Sequence, residues 1–328
     1  MSGQALFFTG EQKVSVREIP IPEPGEGEVL VRTERSAISP GTELLVYRDE
    51  VPTEMSTDET IDTLDGTFSY PLQYGYATVG RVVAVGESVD DEWLDRRVFA
   101  FNPHESHFLA EPEQLVPTTL PPQQALFIPT VETAVNFVMD ARPRIGARVA
   151  VFGQGPVGLL TTALLSEFPL ADLVTADCYE KRRSLSRSLG ASKSVPPDEV
   201  DEAIDDPDIS FELSGDPAAL DSAIDLTGYA GQVIVGSWYG EKRVSLDLGG
   251  DYHRSHIRIQ SSQVSRLDPD HTDRWDKDRR MEYVRSWLSD TDLSALLTHE
   301  LAIERGAEGY RLLENSPDEA VQVAFRYD

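Results

Sequence analysis

A glycine-rich turn, Gly153-Gln154-Gly155-Pro156-Val157-Gly158, follows directly on the apolar run Arg148-Val149-Ala150-Val151-Phe152 and leads into a helical pattern from Pro156 to Phe168. A short buried strand, this turn and then a helix leave few folds open. Gly153 permits a tight turn, Gly155 lets backbone approach a pyrophosphate, and Gly158 lets the helix pack close to the strand. Pro156 and Val157 open the helix, whose first N–H groups and positive dipole end suit phosphate. The motif therefore predicts a dinucleotide site.

The rhythm beyond the turn agrees. Leu173 to Ala176 reads as a strand, Tyr179 to Leu189 as a helix stopped by Gly190, and Ile209 to Leu213 as a strand. A helix from Pro217 to Leu226, a strand from Gln232 to Gly236 and a last strand-like run from Ile257 to Ser261 complete the series. Such alternation predicts an α/β fold, a Rossmann doubly wound parallel sheet of six strands. Asp177 ends the second strand, where a carboxylate accepts from a ribose 2′-OH and repels a 2′-phosphate. That favours NAD. Lys181, Arg182 and Arg183 close by are either helix-surface residues or a seat for the extra phosphate of NADP.

Residues 1–120 read differently. Val14 to Val16, Glu28 to Thr33 and Gly80 to Val85 are strand-like runs separated by Pro- and Gly-rich turns, and Arg48 to Asp65 reads as an acidic surface insertion. A net charge of −28, from 57 acidic against 29 basic residues, argues against nucleic acid as a partner. Acids spread along the whole chain read as adaptation to high salt, where screening relieves self-repulsion. The one cysteine, Cys178, leaves no internal disulfide and no multi-cysteine zinc site. No apolar run is long enough for a membrane span, and Met1 to Thr9 lacks the pattern of a secretory signal, which predicts the cytoplasm.

The order of parts, with the segments Ile38-Ser39-Pro40-Gly41-Thr42-Glu43, Tyr74 to Val82, Phe101-Asn102-Pro103-His104, Thr130-Val131-Glu132-Thr133-Ala134 and Gly250 to Arg254, resembles the medium-chain dehydrogenase/reductase superfamily over nearly the full length. The resemblance is to its zinc-type alcohol dehydrogenase-like branch, which contains threonine-dehydrogenase-like and bacteriochlorophyllide dehydrogenase-like proteins. It implies a β-rich GroES-like catalytic domain at 1–122 with 290–328, and a Rossmann domain at 123–289. It also implies a homodimer, paired through the edge strand 257–261.

Several residues depart from the family pattern. Zinc-dependent members carry Cys-x-Thr-Asp and Gly-His-Glu where this chain has Pro40-Gly41-Thr42-Glu43 and Gly75-Tyr76-Ala77, and their third ligand falls on Pro129. None of these replacements binds a metal. The cysteine-rich lobe for a structural zinc is missing too, so the expectation is no zinc. His104 and His107, with Glu105 between them, read either as a loop in the cleft or as two imidazoles and a carboxylate able to hold zinc.

Without a metal, hydrogen-bond donors must meet the negative charge that builds on a carbonyl oxygen. The resemblance places Thr42 in a proton relay, although Gly41 to Glu43 could equally be a helix-capping turn. Tyr76 replaces a ligand histidine and either donates a proton or fills the vacated space. His104 is the expected acid/base, since imidazole titrates near neutrality. Glu132 and Thr133 fall where the family contacts nicotinamide. His253 and Arg254 either hold an anionic group or stabilise a loop or interface. The expectation is a zinc-independent NAD(P)-dependent oxidoreductase interconverting a secondary alcohol and a carbonyl on a small molecule. The alternatives are an enoyl or quinone reductase and a dinucleotide-binding protein without catalysis.

Overall fold

The strand Arg148–Phe152 lies at the centre of a six-stranded sheet in which every pairing is parallel. Across the sheet the strands run Lys193–Val195, Asp172–Ala176, Arg148–Phe152, Ile209–Glu212, Gln232–Val235 and Arg258–Ser261. In chain order this is third, second, first, fourth, fifth, sixth, the order of a doubly wound dinucleotide fold, with a crevice where the winding reverses. The central strand is apolar and buried from Val149 to Phe152, as a parallel sheet covered on both faces requires. Ala150, Phe152, Val174, Ala176 and Val233 are buried with Leu220, Ala223 and Ile224 of the helix Pro217–Leu226. Each large aliphatic side chain so buried contributes about 1.5–3 kcal/mol.

This computed structural model describes residues 2–57, 61, 63–64 and 66–327. Of the acidic segment 48–65, residues 58–60, 62 and 65 therefore lie outside the described residues. The chain divides into two compact units, Met1–Pro129 with Trp287–Asp328, and Thr130–Ser286. Among the described residues no helix is long and apolar enough to cross a membrane.

The first unit is β-rich. Its larger sheet runs Leu297–Ala302, Gln322–Arg326, Val29–Ala37, Thr78–Val85, Arg97–Ala100 and Val116–Pro117, with His107–Ala110 also paired to Val29–Ala37. Alternate residues Val29, Val31, Val82, Val98 and Phe108 point into its core. The chain end thus supplies two strands to a sheet begun near residue 29, and Ala324 lies opposite Ala37.

Two local expectations are revised. The helix after the glycine turn ends at Leu165, not Phe168. Pro169 follows, and the residue before a proline is pushed out of the helical region. The chain closes instead with short i−3 bonds, Glu167 N to Leu164 O and Phe168 N to Leu165 O. Similarly, His107 does not sit in a loop with His104 but opens the strand His107–Ala110.

Candidate functional site

In the Rossmann unit the three glycines have three distinct reasons. Gly153 has φ +89°, and a Cβ there would lie 2.4 Å from Ser214 Cα. Gly158 packs so close that a Cβ would lie 2.0 Å from the Gly153 carbonyl oxygen. Gly155 is different: its φ of −69° suits any residue, and a Cβ would meet nothing within 4 Å. Neither strain nor packing within the protein asks for glycine there. The space above Gly155 is a cradle that a side chain would fill, at the N-terminus of the ten-residue helix Pro156–Leu165, which has no side-chain cap. These residues fit a pyrophosphate.

The turn is held from behind. Gln154 is fully buried; its Nε2 donates to Gly153 O at 2.9 Å and its Oε1 accepts from Thr162 Oγ1 at 3.0 Å. Asp177 Oδ2 accepts from Gln154 N at 2.7 Å, and Oδ1 accepts from Tyr179 N at 2.8 Å. The carboxylate thus ties the ends of two adjacent strands together, with one lone pair on each oxygen still available. Arg182 Nη1 lies 3.9 Å from Asp177 Oδ2 and its guanidinium stacks over Tyr179. Arg183 is committed to Glu180 and to the carbonyls of Asp177 and Cys178. Glu212, which the sequence reading passed over, is fully buried at the end of the fourth strand. It accepts from Ser214 N and from the phenol of Tyr239, and so fixes the turn packed against Gly153. Burial and Glu212 together hold the Tyr239 phenol well above its usual pKa, so it stays a donor.

Glu132 lies elsewhere in the chemistry of this unit than expected. Its Oε1 accepts from Arg280 Nη2 at 2.7 Å and Nε at 3.2 Å. Arg280 is 0% exposed and also donates to Asn136 Oδ1 and Val264 O. Both charges are therefore spent on each other inside the fold. Thr133 follows on the same helix, Ile128–Ala141, and is partly exposed. His253 and Arg254 are exposed on the short helix Asp251–Arg254, outside this arrangement. Arg280 left one trace in the sequence. It falls four and eight residues before Val284 and Leu288, on the buried stripe of the helix Lys277–Asp290.

In the β-rich unit the segment Pro40–Tyr47 forms a helix with Ser39 at its N-cap. Ser39, Thr42 and Tyr76 are each partly exposed. Tyr76 Oη donates to Thr42 Oγ1 at 3.1 Å and shares a short hydrogen bond with Ser39 Oγ. Behind these hydroxyls lies Glu43, 0% exposed, whose Oε1 accepts from Ser39 N at 2.7 Å. Glu43 Oε2 accepts from His104 Nε2 at 3.0 Å and from the Tyr310 phenol. His104 Nδ1 meets Ser36 Oγ at 2.7 Å, and that hydroxyl meets Tyr327 Oη at 2.8 Å. Burial first, and Glu43 second, keep the Tyr310 phenol protonated far above its usual range.

His104 thus has a setting unlike the one expected. It is 0% exposed with both ring nitrogens engaged, and a carboxylate can only accept, so Nε2 carries a proton. Gly75 makes this burial feasible. At φ +121°, its missing Cβ would lie 2.7 Å from His104 Nε2. A group that exchanges protons with a substrate must come within hydrogen-bond reach of it. Tyr76 and Thr42 are partly exposed, while Glu43 and His104 are buried behind them. Glu43 caps the helix, and Thr42 faces Tyr76.

The residues do not fit a catalytic zinc. Pro40 is the first residue of a helix, Tyr76 is bonded to two hydroxyls, and Ala77 offers only its backbone carbonyl, which accepts from Ala37 N. His104 turns to Glu43 and Ser36, and His107 to Ser106. Among the described residues no three His, Cys, Asp or Glu side chains gather as a metal site.

No family model matches the chain. It is similar to the (R,R)-butanediol dehydrogenase of Bacillus subtilis (strain 168), 24% identical over 302 residues covering 80% of this chain and 83% of that protein. It is likewise similar to an L-threonine 3-dehydrogenase of Xanthomonas campestris, 22% identical and covering 91% and 92%. Among solved structures, the 2R,3R-butanediol dehydrogenase of Bacillus subtilis superposes with a TM-score of 0.81 at 21% identity, each chain fully covered. A Sinorhizobium meliloti 1021 dehydrogenase bound to NADP gives 0.79 at 20% identity, again over both full chains. These likenesses show the fold: a Rossmann domain with a GroES-like one.

Proposed function

Because the chain belongs to the medium-chain dehydrogenase/reductase superfamily, in its zinc-type alcohol dehydrogenase-like branch, we propose that it interconverts a secondary alcohol and a ketone of a small molecule with NAD(P). The observation that carries the reading is the Tyr76 hydroxyl, partly exposed and bonded to both Ser39 and Thr42. The reaction moves a hydride and a proton. A bound nicotinamide supplies or accepts the hydride. What the chain itself must provide is a seat for the dinucleotide and a path for the proton.

Gly153, Gly155, Pro156, Val157 and Gly158 would hold the pyrophosphate, and Asp177 the ribose hydroxyls, which favours NAD over NADP. Thr133 is proposed as a nicotinamide contact. During reduction Tyr76 gives its proton to the oxygen on which charge develops, since a phenol of ordinary pKa about 10 is far more acidic than an alcohol. Thr42 and Ser39 return that proton and hold the phenol in place. In the oxidative direction the same hydroxyls run in reverse. Glu43 and His104 are assigned a positioning role behind Ser39, and no step is derived through zinc.

The same reading includes a high-salt cytoplasm and a two-fold dimer through the strand Arg258–Ser261. That strand ends the sheet order and, among the described residues, pairs on one side only, with Gln232–Val235. The test is turnover of a panel of secondary alcohols, ketones and activated alkenes with NAD and with NADP, before and after prolonged chelation, with metal content measured. Alcohol oxidation that survives chelation, with NAD preferred, is the expected result. Turnover of alkenes alone would make it an enoyl or quinone reductase. Cofactor binding without any turnover would make it a binding protein. Stoichiometric zinc whose removal abolishes activity would end the zinc-independent mechanism.

A further inference from the structure

We propose that the β-rich unit carries a second ligand site, a pocket for a small oxyanion bearing phosphate or carboxylate groups, built around Arg32. The pocket has a volume of about 500 Å³ and is lined by Arg32, Arg35, Arg97, His107 and Tyr327 together with Glu34 and a few neighbours. None of the hydroxyls of Ser39, Thr42 or Tyr76 lines it; Tyr327, which does, reaches His104 behind that cluster only through Ser36. It is also confined to one unit, Met1–Pro129 with Trp287–Asp328.

Among the described residues Glu34 is the only carboxylate lining the pocket, and each of its oxygens already has an arginine partner: Oε2 accepts from Arg97 Nε at 2.9 Å and Oε1 from Arg81 Nε at 3.3 Å. Arg35 pairs with Glu300 at 3.1 Å and donates to Glu34 O. Arg32 is left over; among the described residues it makes no ion pair, although the chain holds 57 acids to 29 bases. Four guanidinium groups thus face two carboxylates at and around this pocket, in a chain of net charge −28. A guanidinium left unpaired beside others of its kind is neutralised best by an anion, and its planar fork matches the two oxygens of a carboxylate or phosphate.

The neutral groups around it are mostly polar. His107 lies directly opposite Arg32 across the strand pair. Ser106 Oγ accepts from Gln4 N at 2.8 Å and shares a hydrogen bond with His107 Nδ1 at 3.0 Å. Burial, then the neighbouring Arg32 charge, hold the His107 pKa below its usual value, which favours the neutral ring. Among the described residues lining the pocket, arginines outnumber carboxylates three to one.

The test titrates the full-length protein with inorganic phosphate and with citrate, at constant high ionic strength in chloride, by calorimetry and by thermal unfolding. The two probes separate a phosphate-reading from a carboxylate-reading site. Saturable binding of at least one is expected, weakened ten-fold or more in Arg32→Ala and partly restored in Arg32→Lys. Arg96→Ala, an exposed arginine stacked on Trp93 outside the pocket, should leave it unchanged. No saturable binding would overturn the proposal. So would binding that Arg32→Ala leaves intact, which would place the anion elsewhere, or a loss equal in Arg32→Ala and Arg96→Ala, which would reduce it to general charge.

Discussion

Tyr76 Oη donates to Thr42 Oγ1 at 3.1 Å, joining a loop before one strand to the first turn of a helix more than thirty residues earlier. If this pair moves the proton, Tyr76→Phe keeps the ring in its place and removes only the transferable hydrogen. Its kcat should fall about 10²–10⁴-fold with little change in unfolding temperature. Steady-state rates in both directions, with a melting curve, check this. A Tyr76→Phe enzyme with wild-type kcat would mean that the ring merely fills space.

Gly155 and Gly158 should respond oppositely to a side chain. Gly155→Val meets open space at an ordinary φ, so the fold should keep its stability within about 0.5 kcal/mol. Dinucleotide affinity should nevertheless drop more than about ten-fold, because the cradle is filled. Gly158→Ala would instead set a Cβ 2.0 Å from Gly153 O and destabilise the protein before any ligand is added. Denaturant unfolding and fluorescence titration with NAD separate the two outcomes. Undiminished NAD binding by Gly155→Val would place the phosphates elsewhere.

The Glu132–Arg280 pair offers a test of structural against catalytic use. Arg280→Met leaves a buried carboxylate unpaired and should cost about 3–5 kcal/mol in denaturant unfolding. Combining it with Glu132→Leu should recover much of that loss, since no lone charge remains. Glu132→Gln should keep its kcat in the folded fraction. A kcat collapse at full stability would return Glu132 to the nicotinamide contacts.

Burial raises the pKa of Glu105 and of Asp140 above their usual values, while it lowers that of His107. For the two carboxylates the folded state binds the proton more tightly than the unfolded chain. Their contribution is therefore present at low pH and lost as pH rises from the unfolded value, about 4, through the folded one. For His107 the unfolded chain binds the proton more tightly, so stability is lost as pH falls through about 6.5 towards the folded value. Unfolding temperatures of wild type against Glu105→Gln should diverge in the wild type's favour as pH falls from 7 towards the carboxylate range. A difference independent of pH would show that Glu105 does not titrate in this way.

Much of the Rossmann unit was legible because its information is local. Strand, glycine turn and helix are adjacent in sequence, and a parallel sheet buried on both faces writes itself as apolar runs. Asp177 is close enough in sequence to be placed by counting. What escaped there were Gln154, Glu212 and Arg280, polar residues whose burial depends on partners 8, 27 and 148 positions away.

The β-rich unit was legible only in outline. Hydroxyls and imidazoles in loops carry no period, and a sequence cannot say which way a side chain turns. Tyr76 and Thr42 were nominated by position, yet their mutual hydrogen bond and the burial of His104 required the fold. Gly75 and the chain end decided it. One makes room for the imidazole, and the other brings Tyr310 and Tyr327 to Glu43 and Ser36 across more than 260 residues. By itself the sequence determined that a dinucleotide fold would form around Gly153 to Gly158, because backbone geometry and apolar period are local properties. Tertiary structure alone decided which polar groups are exposed and which are buried, because burial is set by what the distant chain brings alongside.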